Sequence, residues 1–145
     1  MKITENTTVM DLYWEIELRK RSTMTLGAII TCLREFNQDC KIEFDFGHII
    51  PLGFISWRGS YNELALLYGY SSNRHVYVKD LLRQCEEANG MTFAGYNCGE
   101  FKMSLDTPVW VDNDGDISHT AIIDIKEVGE YVYIITERDL NYNLQ

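Results

Sequence analysis

Two short segments combine glycine, aromatic rings and hydrogen-bonding side chains. They are Trp57-Arg58-Gly59-Ser60-Tyr61 and Gly95-Tyr96-Asn97-Cys98-Gly99-Glu100-Phe101. Glycine permits backbone conformations with positive φ and lets another surface approach closely. Aromatic rings offer faces for stacking, and an arginine guanidinium is a planar fork that suits phosphate or carboxylate. These residue types favour a cradle for a small molecule over a catalytic constellation.

The predicted binding residues come from these two segments and from the strands beside the second. They are Trp57, Arg58, Gly59, Tyr61, Phe93, Tyr96, Asn97, Gly99, Phe101 and Met103. Several of these assignments have a structural alternative. Phe93 is of a type that lies more often in a core than in a pocket. Arg58 also suits a surface arginine that lies on an aromatic ring. Phe101 alternates with Met103, so that strand face also suits a core.

Motifs for catalysis or metal binding are missing from the sequence. Asp112-Asn113-Asp114-Gly115-Asp116 suggests an EF-hand loop, but Ile117 and Ile123 occupy the positions that need glycine and glutamate. We therefore predict a turn there. The chain also has no nucleophile elbow, P-loop or dinucleotide-binding glycine motif. We expect no enzyme activity, no metal and no cofactor, although a triad that assembles only in space stays open.

Composition and charge narrow the remaining classes of function. The 145 residues carry a net charge of −9, which disfavours binding to DNA or RNA because phosphate contacts need many basic side chains. No apolar run approaches the ~18 residues of a membrane span, and no signal peptide is recognisable. Four cysteines are scattered without metal-ligand spacing. We therefore expect a cytoplasmic protein with free thiols and no membrane contact.

The helices that must position these segments are predicted from apolar spacing. Val9–Lys20 fits a helix, although part of it also alternates like a strand. Leu26 begins a clearer apolar stripe, capped by Thr25 and ending near Asn37-Gln38-Asp39. Val78–Asn89 is the second main helix, with Gly90 at the position that glycine favours after a helix.

Most of the remaining chain alternates or clusters apolar residues as strands do. We predict a loop over Gly47–Gly53 around Pro51. Before it we predict a strand in which Ile42, Phe44 and Phe46 are buried and the alternate residues face solvent. Further strands are predicted at 54–57, 64–68, 91–93, 100–104, 108–111, 117–126 and 131–136, the last two joined at Val128-Gly129-Glu130. The predicted fold is α+β: a mostly antiparallel sheet with two main helices on one face. It is a single domain over 1–145, in which 1–23 is an N-terminal extension and 139–145 a frayed tail.

Three stretches of the sequence together resemble a known family. They are Gly53 with Trp57–Ala65, then Met91–Met103, and Thr107–Val111. They resemble small phage-encoded proteins of a viral Thoeris anti-defence family, which sequesters cyclic ADP-ribose isomers. The resemblance spans roughly Met24 to Ile125.

The resemblance implies a protein that binds a second messenger made by a bacterial TIR-domain immune enzyme and does not cleave it. It also implies a homo-oligomer, a dimer or a trimer of dimers, in the cytoplasm of an infected bacterial host. A separate site for cyclic oligonucleotides belongs to the same expectation. Two alternatives stay open: an acidic inhibitor that binds a host defence protein, and a small hydrolase that uses Glu63, Asp106 or His119.

Overall fold

A computed structural model describes residues 23–56, 63–94, 100–112 and 120–138. Two helices, a six-stranded sheet and a two-stranded hairpin make up these residues, so the predicted α+β class is confirmed. The helices are α1 (Leu26–Glu35) and α2 (Val78–Ala88). The strands are β1 (Lys41–Phe44), β2 (Ile49–Ser56), β3 (Leu64–Tyr70), β4 (Thr92–Ala94), β5 (Glu100–Lys102), β6 (Val109–Val111), β7 (Thr120–Val128) and β8 (Tyr131–Arg138).

The six-stranded sheet is mixed and almost closes on itself. Its strand order is β1-β8-β7-β6-β3-β2, and the hairpin consists of β4 and β5. β1–β8 and β3–β6 pair in parallel, and the other neighbours pair antiparallel. β1 and β2 stand at opposite ends of this order but contact each other, so the sheet curls into a nearly barrel-shaped form. The two parallel pairs arise because long connections, both of which contain α2, return the chain in the same direction.

Both helices pack on one face of the sheet, where a single hydrophobic core lies between them and the strands. Alternation along the strands assigns the faces. Leu64 and Leu66 belong to this core, whereas Ala65 between them belongs to a small separate cluster with Trp110 and Ala121. The predicted placement of the helices on one face is thus confirmed.

Helix α1 begins as the sequence predicts. The Thr25 side chain accepts a hydrogen bond from the backbone N–H of Ala28, which satisfies one of the orphan donors of the first turn. The predicted stripe faces the core through Leu26, Ile29, Ile30 and Leu33. The helix ends at Glu35, slightly earlier than predicted.

Helix α2 also follows its local signals. The Asp80 side chain accepts a hydrogen bond from the backbone N–H of Tyr77, the residue before the first turn. After the last turn Gly90 has φ +85°, which glycine adopts without steric cost. Leu82, predicted in the buried stripe, is only partly buried.

The predicted loop over Gly47–Gly53 is wrong, because β2 already begins at Ile49. Its pairing with β3 shifts register between Pro51 and Gly53, which marks a bulge. A bulge accommodates a proline that has no N–H to donate, and Gly53 takes φ +140° beside it. Proline and glycine therefore interrupt the strand pairing without ending the strand.

The predicted alternation around β1 is also partly wrong. Ile42 and Phe44 are buried as expected, but Glu43 is buried too, at 6% exposure. Phe46 lies beyond the end of the strand and is 38% exposed. Gly47 with φ +77° follows, so the chain turns before Phe46 reaches an inward strand position.

A short piece of chain before α1 is inserted between β6 and β7. The backbone N–H of Met24 donates to the Ile122 carbonyl, and the Val109 N–H donates to the Met24 carbonyl. The hydroxyl of buried Thr23 donates to the Val109 carbonyl and accepts from the Ile122 N–H. These bonds replace pairing between β6 and β7, whose direct register is Trp110 to Ala121.

Some of the remaining local predictions are confirmed, and the others lie outside the described residues. β6 and β8 begin close to the predicted positions, and the β7–β8 hairpin turns at Gly129 with φ +63°. The predicted helix at Val9–Lys20 and the predicted tail at 139–145 lie outside the described residues.

Candidate functional site

Most of the predicted binding residues lie in the two glycine–aromatic segments. Seven of them fall outside the described residues: Trp57, Arg58, Gly59, Tyr61, Tyr96, Asn97 and Gly99. What the structure defines is where the two segments start and end. The first joins β2 to β3, and the second joins β4 to β5.

The strands that carry the two segments are neighbours. β4 contacts β2, although they belong to different sheets. Immediately after the first segment, the Glu63 carboxylate accepts a hydrogen bond of 2.8 Å from the indole N–H of Trp110. Because Trp110 is almost completely buried in β6, this bond fixes the start of β3 relative to the sheet.

The other three predicted binding residues lie on the hairpin or directly after it. Phe93 on β4 is opposite Phe101 on β5 and packs, half-buried, against the hydrophobic core. Met103 is 1% exposed and belongs to that core. Its backbone continues the hairpin, because its N–H donates to Met91 and its carbonyl accepts from Gly90. The structure therefore places Met103 beneath the hairpin as a packing residue.

The structure describes two of the three residues of the hydrolase alternative. Glu63 is hydrogen-bonded to Trp110, and Asp106 is exposed in the turn after Met103, where its N–H donates to Ser104. His119 lies outside the described residues. Within the described ranges, no group of three or more His, Cys, Asp or Glu side chains could hold a metal ion. Of the predicted turn at Asp112–Asp116, only Asp112 lies within the described residues.

The cysteines that the structure describes are free thiols, as predicted. Burial raises the pKa of the Cys85 thiol to about 12, and neighbouring Glu86 adds to the shift. Burial also raises the pKa of Cys32 and of Cys40, with Asp124 and Glu127 as the respective nearby carboxylates. A thiol is nucleophilic only as the thiolate. These three side chains are therefore poor nucleophiles at neutral pH.

Sequence reasoning missed an open cleft between the helices. It has a volume of about 510 Å³ and lies between α1, the end of α2 and the turn at Leu105 and Asp106. An ion pair between Arg34 and Glu86, 3.2 Å apart, joins the helices at this cleft. The cleft has the size of a small-molecule site but is mainly polar. The small residues on the exposed side of α1, such as Gly27 and Ala28, are the sequence signal for it.

Gly27 is required where α1 meets this turn. A Cβ atom at Gly27 would lie 2.9 Å from the Leu105 carbonyl oxygen, closer than packed atoms tolerate. The Gly27 N–H donates to that same carbonyl. The glycine therefore lets the helix start lie directly on the turn.

Comparison with known proteins assigns no family to the chain. No protein-family model, curated protein or solved structure matches the chain. Among the described residues, no helix is both long enough and apolar enough to cross a membrane.

Proposed function

We propose that this protein binds and sequesters a cyclic nucleotide-type second messenger, specifically a cyclic ADP-ribose isomer, without cleaving it. One observation carries the proposal. The two glycine–aromatic segments, one of which contains Arg58, connect strand pairs whose members β2 and β4 are in contact. Neighbouring strands thus carry both groups of candidate binding residues.

The chemistry of these residues suits such a ligand. Stacking of a base on an aromatic ring contributes about 1–3 kcal/mol. Trp57, Tyr61 and Tyr96 offer such rings, and Arg58 offers paired donors for a pyrophosphate. Sequestration requires tight binding with no chemical step. The proposal extends to the resemblance described above, in which the protein is a phage-encoded homo-oligomer that acts in the bacterial cytoplasm.

Native mass spectrometry of the purified protein with cyclic ADP-ribose isomers tests the proposal. We expect a stoichiometric complex that releases chemically intact ligand after heat denaturation. Release of an altered ligand would instead indicate an enzyme. Failure to bind any isomer would overturn the proposal and favour an inhibitor that acts on a protein.

The role of Arg58 is tested by Arg58→Ala in isothermal titration calorimetry. We expect binding to be lost because the pyrophosphate loses its charged donors, while the free energy of unfolding changes by no more than ~0.5 kcal/mol. Arg83→Ala is the matched control, since Arg83 is exposed on α2 and forms a long contact of 4.0 Å with Glu87. Equal affinity of the Arg58 variant and the control would remove Arg58 from the site.

A further inference from the structure

The open cleft between the helices carries opposite charges at separate positions. Arg34 of α1 and Glu86 of α2 form their 3.2 Å ion pair at one side of it, and Asp106 lines it from the turn that meets the start of α1. That turn is held in place because the Gly27 N–H donates to the Leu105 carbonyl. A guanidinium and a second carboxylate therefore face the same cleft from different ends of α1.

Several polar groups in the cleft have unused hydrogen-bonding capacity. Arg34 donates to Glu86 from one guanidinium nitrogen, although a guanidinium carries several N–H donors in a planar fork. Within the described ranges, no group donates to the Asp106 carboxylate, and the Asn89 side chain forms no hydrogen bond. The guanidinium, the carboxylate and the amide are therefore available to a bound molecule.

The charges of the cleft select the class of ligand. Its charged lining residues are Arg34, Glu86 and Asp106, so a simple anion would meet more carboxylate than guanidinium. A simple cation would be repelled by the guanidinium. A zwitterion matches both signs, because Arg34 can bind a carboxylate through paired N–H donors and Asp106 can accept from an ammonium group.

The separation of the charged groups limits the length of the ligand. Gly27, which lies on the Asp106 turn, precedes Arg34 on α1 by about 10 Å along the helix axis. Side chains on a helix lean toward its N-terminus, so the guanidinium lies closer to the turn than that. An extended dipeptide spans roughly 7 Å. Between the charges, Ala28 and Leu105 line the cleft and offer aliphatic contact to a ligand side chain.

We propose that the cleft between α1 and α2 binds a short zwitterionic peptide of dipeptide size, with its terminal carboxylate on Arg34 and its terminal ammonium on Asp106. The Asn89 amide bonds to the peptide group between them. This inference is independent of the nucleotide proposal, because none of the predicted nucleotide-binding residues lines the cleft.

Isothermal titration calorimetry of the full-length protein tests the proposal from the side of the ligand. The probes are glycyl-leucine, its N-acetylated form and its C-terminal amide. We expect one glycyl-leucine to bind per chain, and each capped form to bind about tenfold or more weakly, because each lacks one of the two charges. These titrations use the unaltered protein, so their outcome does not depend on the folding of a variant.

Two substitutions then assign each charge to a residue. Asp106→Asn should weaken glycyl-leucine binding by about tenfold and leave the affinity of the N-acetylated form unchanged, since that form has no ammonium. Arg34→Gln should weaken glycyl-leucine binding similarly and leave the affinity of the amide unchanged. The matched controls are Asp39→Asn and Arg83→Gln, which change exposed side chains outside the cleft and should bind as the wild type does. Circular dichroism establishes that each variant keeps the fold.

Three results would overturn the proposal. No binding of glycyl-leucine would show that the cleft does not hold a zwitterionic peptide. Equal affinity for glycyl-leucine and one of its capped forms would show that only one charge is recognised. Binding that is unchanged in both the Asp106 and the Arg34 variants would place the dipeptide outside this cleft. The nucleotide proposal is tested separately, with a different ligand and a different arginine.

Discussion

The two faces of the sheet are built from different kinds of residues. The face beneath α1 and α2 packs with these helices into an aliphatic and aromatic core that includes Leu33 of α1 and Phe44 of β1. On the opposite face, the buried apolar cluster of the described residues contains only Ala65, Trp110 and Ala121. Other positions on that face include Tyr131 and Tyr133, whose rings stack 5.8 Å apart, and Ile55, which is 39% exposed.

The two faces of the sheet are therefore stabilised by different kinds of contact. On the helix-covered face, residue types are explained by burial, which supplies most of the folding free energy. On the opposite face, the described contacts are individual ones: the hydrogen bond from Trp110 to Glu63, the stacked tyrosines, and Lys41 lying over Tyr131. Substitutions on the first face should therefore change stability far more than substitutions on the second.

The largest expected effect is a truncation on the helix-covered face. Leu33 on α1 is 0% exposed, so Leu33→Ala should lower the free energy of unfolding by about 2–5 kcal/mol through lost burial and a residual cavity. Ile55→Ala on the opposite face is the control, because Ile55 is 39% exposed and should lose less than ~1.5 kcal/mol. Urea denaturation measures both, and equal losses would contradict the contrast between the faces.

A smaller effect is expected where the Thr23 hydroxyl joins β6 to β7, a position that we call the seam. Thr23→Val keeps the shape but removes the hydroxyl that binds both Val109 and Ile122, leaving buried groups unsatisfied. The expected loss is about 1–3 kcal/mol. Thr31→Val removes an exposed hydroxyl bonded to Gly27 within α1 and should change stability by less than ~0.5 kcal/mol. If thermal unfolding gives the same midpoint for both variants, the seam does not need this hydroxyl.

The smallest effect, about 1.4 kcal/mol between pH 8 and pH 10, concerns the ionisation of Cys85, which is buried on α2. Its pKa is raised from 9.0 to about 12 in the folded protein, so both states keep the proton below pH 9 and stability is complete there. Above pH 9 the unfolded chain loses the proton first, so stability should fall until about pH 12. The Cys85 contribution is ~1.4 kcal/mol per pH unit at most.

Cys85→Ala isolates this contribution. The difference in unfolding free energy between wild type and variant should shrink by ~1.4 kcal/mol between pH 8 and pH 10, as guanidinium titrations at each pH would show. A difference that stays constant with pH would mean that the thiol is not shielded by the helices.

Local signals in the sequence were sufficient where short-range physics decides the structure. Thr25 caps α1 and Gly90 follows α2, because capping and positive φ depend on adjacent residues. The predicted turn at Gly129 between β7 and β8 is confirmed for the same reason. The prediction of a loop around Pro51 is wrong, because pairing with β3 and a bulge outweighed the tendency of proline to interrupt strands.

The candidate site was less accessible to sequence reasoning. The residue types identified two segments, but no pattern in the sequence predicted the β2–β4 contact that connects them. Met103 was predicted as a binding residue although its alternation with Phe101 also suited a core, and the structure buries it in the core. Alternation identifies a face, and only packing decides whether that face meets the core or a ligand.

Within the described residues, the sequence by itself determined the two main helices, their capping residues and the α+β class, because each depends on periodicity and neighbouring residues. Only the tertiary structure decided the parallel pairings, the insertion of Thr23 and Met24 between β6 and β7, and the exposure of Phe46. These features depend on residues far apart in the chain. Their partners are selected by burial and hydrogen-bond satisfaction in the folded molecule, which local sequence patterns do not encode.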